Sequence, residues 1–127
     1  MTASNQPLKI LIIDDETEIS RLLTRFLQRK GFAVESAETI RDGKNLYQRG
    51  NYRYLILDIN LPDGNSLELL PYFKSVQPAC DIIIISAMAN PQLQVQSKEL
   101  GAMTMVGKPF STQHILKLIE NSRSDHS

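Results

Sequence analysis

The sequence predicts an α/β fold in which helices cover both faces of one parallel β-sheet. Two observations carry this prediction. Short runs rich in β-branched residues alternate with longer stretches whose apolar residues recur at helical spacing, and the alternation repeats five times along the 127 residues. Runs such as "DIIII" carry no polar alternation, so we expect strands buried on both faces, which is typical of parallel sheets. A chain of this length is expected to form one domain.

The first unit is the strand "LKILII" followed by a helix. Gly31 is expected to end that helix, because glycine readily adopts the left-handed conformation of a C-terminal cap. The apolar residues of the helix follow i, i+3, i+4, i+7 and i+8 spacing, which predicts one buried face: Ile19, Leu22, Leu23, Phe26 and Leu27.

The second unit is the alternating strand "FAVESA" and the helix "TIRDGKNLYQRG". Thr39 and Asp42 stand at the spacing of a capping box, although Asp replaces the usual Glu or Gln. Gly43 weakens this helix unless another element packs closely against it. The third unit is the strand "YLIL", a turn at "LPDGN" and a helix from about Ser66 to Ser75.

The fourth unit begins with "DIIII", the most apolar run of the chain. Asn90 and Pro91 are a cap and a first helical residue, and Gly101 is expected to end the helix they begin. The fifth unit is the strand "MTMVG" and a helix capped by Ser111. The inner face of this last helix is predicted to contain Ile115, Leu118 and Ile119.

Polar residues stand where four of the five predicted strands end: Asp14 and Asp15, then Asp58, then Ser86, then Lys108. In an open parallel sheet, ligands collect outside the carboxyl ends of the strands. We therefore expect these side chains to form one site.

Three clustered carboxylates repel each other, by about 4 kcal/mol for a pair at 4 Å in a partly screened site, so the cluster must bind a cation or a proton. Oxygen ligands with no His or Cys nearby favour a hard ion, and few protein ligands suit Mg²⁺. Lys108 supplies a second, fixed positive charge, and Ser86 a hydroxyl donor. Such surroundings suit a carboxylate that becomes an acyl phosphate. The alternative is that Asp15, Glu16 and Glu18 only cap and complement their helix.

The blocks "ILIIDDE", "LILDINLPDGNSLELL", "IIIISA" and "GAMTMVGKPF" resemble the signatures of two-component response regulator receiver domains, chemotaxis-receiver-like, over residues 8–122. The resemblance implies a doubly wound, flavodoxin-like three-layer sandwich of five βα units with strand order 2-1-3-4-5. It implies that Asp58 is the phosphoacceptor and that Mg²⁺ is held by Asp14, Asp15, Asp58 and the backbone carbonyl of Asn60. Ser86 would hydrogen-bond the phosphoryl group and Lys108 would pair with it. The Lys108–Pro109 bond is commonly cis in this family.

The resemblance also implies partners for this chain, and at one position the chain departs from the family pattern. A sensor histidine kinase or a histidine phosphotransfer protein would donate the phosphoryl group. The conformational switch would then act on an output domain or a target protein. A phosphorylation-dependent dimer is also compatible with the family. Arg21, Arg25 and Arg29 form a basic stripe on the first helix, interpreted either as a solvated face or as a docking surface. Met105 stands where receivers usually carry an aromatic residue. Such a chain is not an enzyme beyond its own phosphorylation and dephosphorylation.

Other function classes fit less well. A pseudo-receiver, an interaction module without phosphorylation, remains the alternative, but it would lose a site residue and none is lost here. In a haloacid-dehalogenase-type phosphatase a titratable acid stands two residues after the nucleophile, where this chain has Asn60. A flavodoxin-type FMN binder is disfavoured because "DDETE" would repel the cofactor phosphate.

Composition sets the remaining expectations. The formal net charge is zero, which gives no electrostatic case for binding nucleic acid or a membrane surface. The apolar runs are too short to span a bilayer, no signal peptide is evident, and a lone Cys80 fits a reducing compartment, so we expect a cytoplasmic protein. Residues 1–7 are expected to be a flexible N-terminus, and 123–127 a polar tail or the start of a linker. The polar end suits a stand-alone protein and a cut multidomain regulator equally.

Overall fold

The structure is a computed structural model, and it describes residues 6–125. Five strands and five helices alternate along the chain. The strands are β1 (Lys9–Ile13), β2 (Ala33–Ala37), β3 (Tyr54–Asp58), β4 (Asp81–Ser86) and β5 (Thr104–Gly107). The helices are α1 (Thr17–Arg29), α2 (Ile40–Arg49), α3 (Leu70–Val76), α4 (Pro91–Glu99) and α5 (Thr112–Asp125).

All five strands are parallel, and their order is β2-β1-β3-β4-β5, which confirms the predicted fold class and strand order. The register aligns the strand ends that matter for function. Ile13 pairs with Leu57, and Asp58 pairs with Ile85, so the polar residues that follow these positions reach the same edge of the sheet.

Apolar residues fill the space on each side of the sheet. One cluster includes Tyr47 of α2 and Phe73 of α3, whose rings meet edge to face with centroids 4.9 Å apart. The other cluster includes Leu23 and Leu27 of α1 together with Ile115 and Ile119 of α5. The predicted three-layer arrangement is therefore present, with the sheet between two helical layers.

Several local predictions are confirmed. The Thr39 hydroxyl accepts a hydrogen bond from the Asp42 amide at 3.1 Å and caps α2. Asn90 caps α4 in the same way, accepting from the Leu93 amide at 2.9 Å. A Cβ on Gly43 would lie 2.8 Å from Cγ1 of Ile13, so the close packing that this glycine requires exists against β1.

The predicted turn at "LPDGN" is also confirmed, and it connects Asn60–Leu61 with Gly64–Asn65 in a small antiparallel hairpin. Other local predictions are wrong. The helix predicted from Ser66 to Ser75 is a 3₁₀ turn, Ser66–Leu69, followed by α3. Strand β2 is not buried on both faces, because it lies at the edge of the sheet, where Glu35 and Ser36 face solvent.

Two predicted helix faces also need correction. Leu22, assigned to the buried face of α1, is 64% exposed. The inner face of α5 contains Leu116, which was not predicted, whereas Leu118 is only partly buried.

Helix α5 continues to Asp125, past the boundary expected at 122, and residues 1–5 and 126–127 of the predicted termini lie outside the described residues. No helix in the described part of the chain is long and apolar enough to cross a bilayer.

Candidate functional site

Three of the predicted site residues meet at the carboxyl edge of the sheet. The Lys108 ammonium lies 2.9 Å from Oδ2 of Asp58 and 3.4 Å from the Asp14 carboxylate. The side chain of Lys108 is 9% exposed, and those of Asp14 and Asp58 are 1% and 7% exposed. These charges are therefore held close together in a site that is largely shielded from water.

Strand geometry explains how the two aspartates arrive there. Asp58 is the last residue of β3, and Asp14 follows β1 directly, with its amide donating to the Ala37 carbonyl at 3.0 Å. Each carboxylate also accepts a hydrogen bond from an amide two residues later, Glu16 for Asp14 at 3.0 Å and Asn60 for Asp58 at 3.3 Å. Both carboxylates are therefore held in two ways, by backbone amides and by the Lys108 ammonium.

Burial shifts the pKa of the Asp14 carboxyl and the pKa of the Lys108 ammonium in opposite directions. Desolvation raises the pKa of Asp14 from 3.8 to about 6, although the Glu16 amide and Lys108 oppose the rise. Desolvation alone would lower the pKa of Lys108. Hydrogen bonds to Glu16 and Asp58 outweigh it, so the pKa of Lys108 lies above its ordinary value and the ammonium stays charged.

The structure adds Glu16 to the predicted site. Glu16 forms an ion pair with Lys108, and one oxygen each from Asp14, Glu16 and Asp58 lie within 4.8 Å of one another. Glu16 is the N-cap residue of α1, yet its side chain makes no capping hydrogen bond. The alternative in which this acid only caps a helix therefore fails for Glu16.

The predicted metal ligand Asp15 is placed differently. It is exposed and is not a member of the group formed by Asp14, Glu16 and Asp58. The sequence has three consecutive acids, "DDE". Strand β1 ends at Ile13, so the alternation of a strand does not predict which of these side chains face the same side. The conformation of the connection to α1 places Glu16, and not Asp15, beside Asp14 and Asp58. The oxygen-only donor set still fits a hard divalent cation.

Ser86 lies at the same edge of the sheet, at the end of β4. It ends that strand one residue after Ile85, the partner of Asp58, and it is 1% exposed. Its hydroxyl oxygen accepts a hydrogen bond from the Met88 amide at 3.0 Å. The hydroxyl proton can then serve a further acceptor, since a serine hydroxyl both donates and accepts.

The connection after β5 completes the edge. The Lys108 amide donates to the Ser86 carbonyl at 2.8 Å, and the Lys108–Pro109 peptide is cis, as the resemblance implies. Met105, at the position where receivers usually carry an aromatic residue, is 3% exposed and belongs to the apolar cluster against which Ala89 and Leu93 pack. Its side chain therefore lies inside the protein.

Comparisons with known proteins identify the family of this chain. The family model described as "Response regulator receiver domain" matches residues 10–120. Transcriptional regulatory protein CusR of Escherichia coli (strain K12) is 33% identical over 109 residues, which are 86% of this chain and 48% of CusR. The chain thus spans about half the length of this curated relative.

Two solved structures extend the comparison. A CheY-like response regulator receiver domain protein from Methanospirillum hungatei JF-1 has a TM-score of 0.88 at 28% identity, covering 94% of this chain and 95% of that one. A response regulator protein from Burkholderia pseudomallei, whose structure contains a phosphorylated aspartic acid, a calcium ion and citrate, has a TM-score of 0.81 at 27% identity, covering 86% of this chain and 64% of that one. The chain belongs to the response regulator receiver domain family.

Proposed function

We propose that Asp58 is the residue that accepts the phosphoryl group, in a Mg²⁺-dependent transfer from a histidine kinase or a histidine phosphotransfer protein. The observation that carries this proposal is the buried Asp58 carboxylate, 2.9 Å from Lys108 and beside Asp14. In the transfer a carboxylate oxygen of Asp58 forms the new P–O bond while the P–N bond of the donor phosphohistidine breaks. The imidazole leaves with the bonding electron pair and takes up a proton.

The surrounding residues suit the charge that arrives. The fixed ammonium of Lys108 would neutralise a phosphoryl oxygen without reorganisation, and the Ser86 hydroxyl would donate to another. Asp14 and Asp58 would hold the metal, with Asp15 and the Asn60 carbonyl as ligands by family resemblance and Glu16 as a candidate from its position. Bound Mg²⁺ supplies further positive charge at the phosphoryl oxygens.

The partner would dock beside the site. A cavity of about 330 Å³ lies between α1 and the connection from β5 to α5, and its lining includes Ile19, Leu22, Pro109 and Phe110. Leu22 lines this cavity and is exposed, so its apolar side chain belongs to the surface and not to the core. The basic stripe of α1 runs along the same helix, so this surface offers an apolar centre with a positive border to a kinase or phosphotransfer protein.

The remaining family properties complete the proposal. The domain would regulate an output domain or a target protein, with a phosphorylation-dependent dimer as one form of output. It would catalyse nothing beyond its own phosphorylation and dephosphorylation. A cytoplasmic location is consistent with the buried, unpaired thiol of Cys80, which suits a reducing compartment.

Labelling with a small phosphodonor tests the proposal. Wild type and the Asp58→Asn and Asp81→Asn variants would be incubated with acetyl phosphate and Mg²⁺ and examined by intact mass spectrometry. We expect one added phosphoryl group on wild type and on Asp81→Asn, whose carboxylate lies at the other end of the neighbouring strand, and none on Asp58→Asn. Equal labelling of wild type and Asp58→Asn would refute the assignment, and no labelling of wild type would favour the pseudo-receiver alternative.

A further inference from the structure

A buried serine holds the backbone of the proposed phosphoacceptor. Ser66 is 0% exposed, and its hydroxyl donates to the main-chain carbonyl of Asp58 at 2.5 Å. Its amide donates to the carbonyl of the next residue, Ile59, at 2.8 Å. Ser66 therefore contacts two consecutive peptide groups at the end of β3 and closes the loop of residues 58–66.

The hydroxyl replaces a partner that the sheet cannot supply. The Ile59 amide donates to Ile85 of β4 at 3.2 Å, and the Asp58 carbonyl belongs to the same peptide plane, so it faces the opposite side, towards β1. On that side the pairing with β1 ends at Ile13 and Leu57. A buried carbonyl without a partner is costly, and Ser66 satisfies this one.

We infer that Ser66 is a positioning residue for phosphoryl transfer: its hydroxyl fixes the Asp58–Ile59 peptide and thereby the direction of the Asp58 carboxylate and the start of the Asn60 hairpin. This inference rests on the proposed function of Asp58. Ser66 touches neither Lys108 nor the carboxylate oxygens in the hydrogen bonds of the structure, so it acts through the backbone.

The rest of the loop has its own anchor, which separates the role of Ser66 from general loop stability. The Asp63 carboxylate accepts hydrogen bonds from the Ile40 amide at 2.8 Å and the Arg41 amide at 3.0 Å, at the first turn of α2. The hairpin tip therefore stays attached to α2 when the Ser66 hydroxyl is removed. We expect the loop to keep its course in Ser66→Ala while the Asp58–Ile59 peptide gains freedom.

The test compares Ser66→Ala with Ser97→Ala. Ser97 is a matched control, because it is also 0% exposed and its hydroxyl donates to a backbone carbonyl, that of Gln94 in α4, at 3.0 Å. Both variants should melt at a lower temperature than wild type. Only Ser66→Ala should take up phosphoryl groups from acetyl phosphate more slowly, by about tenfold or more, since a small misplacement of a reacting group has a large effect on rate.

Two further measurements separate positioning from a purely structural role. The rise in melting temperature on adding Mg²⁺ should shrink in Ser66→Ala and stay at the wild-type value in Ser97→Ala. The amide of residue 59 donates to the Ile85 carbonyl, and the amide of residue 66 donates to the Ile59 carbonyl. Hydrogen exchange of these two amides, measured without metal, should become faster in Ser66→Ala. If Ser66→Ala does not fold, Ser66→Cys keeps the side-chain size with a much weaker donor and should show the same slow labelling.

Each outcome decides between the inference and the function on which it rests. Labelling of a folded Ser66 variant at the wild-type rate, with an unchanged Mg²⁺ response, would overturn the role of Ser66 and leave Asp58 as the acceptor. An equal loss of rate in Ser97→Ala would also overturn it, because the effect would then follow stability. A wild-type protein that takes no label would overturn the proposed function, and the positioning role with it.

Discussion

The central strands carry a charged cluster at each end, and the two clusters differ in balance. At the amino ends, Arg53 meets Asp81 at 2.9 Å, and the Ser122 hydroxyl of α5 donates to the same carboxylate at 2.6 Å. At the carboxyl ends, one lysine meets three carboxylates, those of Asp14, Glu16 and Asp58.

The difference separates a structural cluster from a functional one. At the amino ends, the Asp81 carboxylate pairs with the Arg53 guanidinium and accepts a hydrogen bond from the Ser122 hydroxyl, so its charge is satisfied within the protein. Three carboxylates around one ammonium leave negative charge uncompensated. Desolvation by burial, with a smaller contribution from the Asp58 charge, raises the pKa of Asp14. A protein keeps such a site when a further cation, here proposed to be Mg²⁺, binds there.

The largest effect is expected from removing the cation at each end. Lys108→Met should slow phosphorylation of Asp58 by a factor of about 100 or more, because removing a preorganised charge that stabilises the transition state costs roughly that much. Arg53→Met removes contacts at the amino ends of the strands, with Asp81, the Ala79 carbonyl and the Tyr54 ring, and should label at nearly the wild-type rate once it is folded. Time courses with acetyl phosphate and Mg²⁺ would measure both. Similar rates for Lys108→Met and Arg53→Met would remove the distinction between the ends.

Removing a carboxylate should change stability with opposite sign at the two ends. Without metal, Asp14→Asn should raise the free energy of unfolding by about 1 kcal/mol or more, because it relieves repulsion and the desolvation of a buried charge. Asp81→Asn should lower it, because the Arg53 guanidinium loses the negative charge with which it pairs and the Ser122 hydroxyl loses a charged acceptor. Thermal melts with and without Mg²⁺ would check both signs. Mg²⁺ should stabilise wild type and Asp81→Asn but hardly Asp14→Asn, since a ligand stabilises only the protein that binds it.

The raised pKa of Asp14 predicts an unusual pH dependence for a carboxyl group. Between its ordinary value of 3.8 and about 6, the folded protein holds more protons than the unfolded chain. The contribution of Asp14 to metal-free stability is therefore full below about pH 4 and falls as pH rises to about 6, by roughly 2–3 kcal/mol at most. The difference in unfolding free energy between wild type and Asp14→Asn isolates this contribution, and a difference that does not change with pH would contradict it.

Mg²⁺ binding should show the complementary trend. Protons compete with the metal for Asp14, so the Mg²⁺ concentration needed for half-maximal stabilisation should rise as pH falls below about 6. Titrations of melting temperature against Mg²⁺ at several pH values would measure it. In Asp81→Asn the same trend should persist, because that carboxylate belongs to the other end of the sheet.

The sequence predicted those features of the site that depend on strands. An apolar run ends where its first charged residue stands, so Asp14, Asp58, Ser86 and Lys108 could be placed at one edge from pattern alone. Features that depend on irregular backbone could not be predicted. The position of Glu16 beside Asp14 and Asp58 depends on the conformation of a connection, and the hydrogen bond from Ser66 to the Asp58 carbonyl depends on a loop.

The fold shows the same division. Helical spacing gave the buried residues Leu23 and Leu27, but it could not show that Leu22 faces a groove beside the β5–α5 connection. The exposed β2 follows from its edge position, which is a property of topology rather than of its own sequence. The two-residue strands of the Asn60 hairpin are too short to produce any period.

The smallest effect is expected at Met105, which belongs to neither charge cluster. When the phosphoryl mimic beryllofluoride binds at Asp58, we expect Ser86 and the loop that follows it to move, and the change to reach α4 and α5. In the family an aromatic ring at this position turns inward with the hydroxyl. Met105 is already buried, and a methionine can fill either of two shapes at little cost, so it should discriminate weakly between the two states.

Amide NMR shifts with and without beryllofluoride would measure this coupling in wild type and in variants at Met105. Met105→Leu conserves volume and should leave the shift changes on α4 and α5 nearly intact. Met105→Ala should lower stability by about 2 kcal/mol or more, as truncation of a buried side chain does, and still transmit most of the change. Met103→Ala is the matched control, because Met103 is only partly buried and packs against the opposite apolar cluster. Loss of the α4 and α5 shift changes in both Met105 variants, but not in Met103→Ala, would show that Met105 replaces the aromatic switch after all, and the loop after Ser86 would then not carry the signal alone.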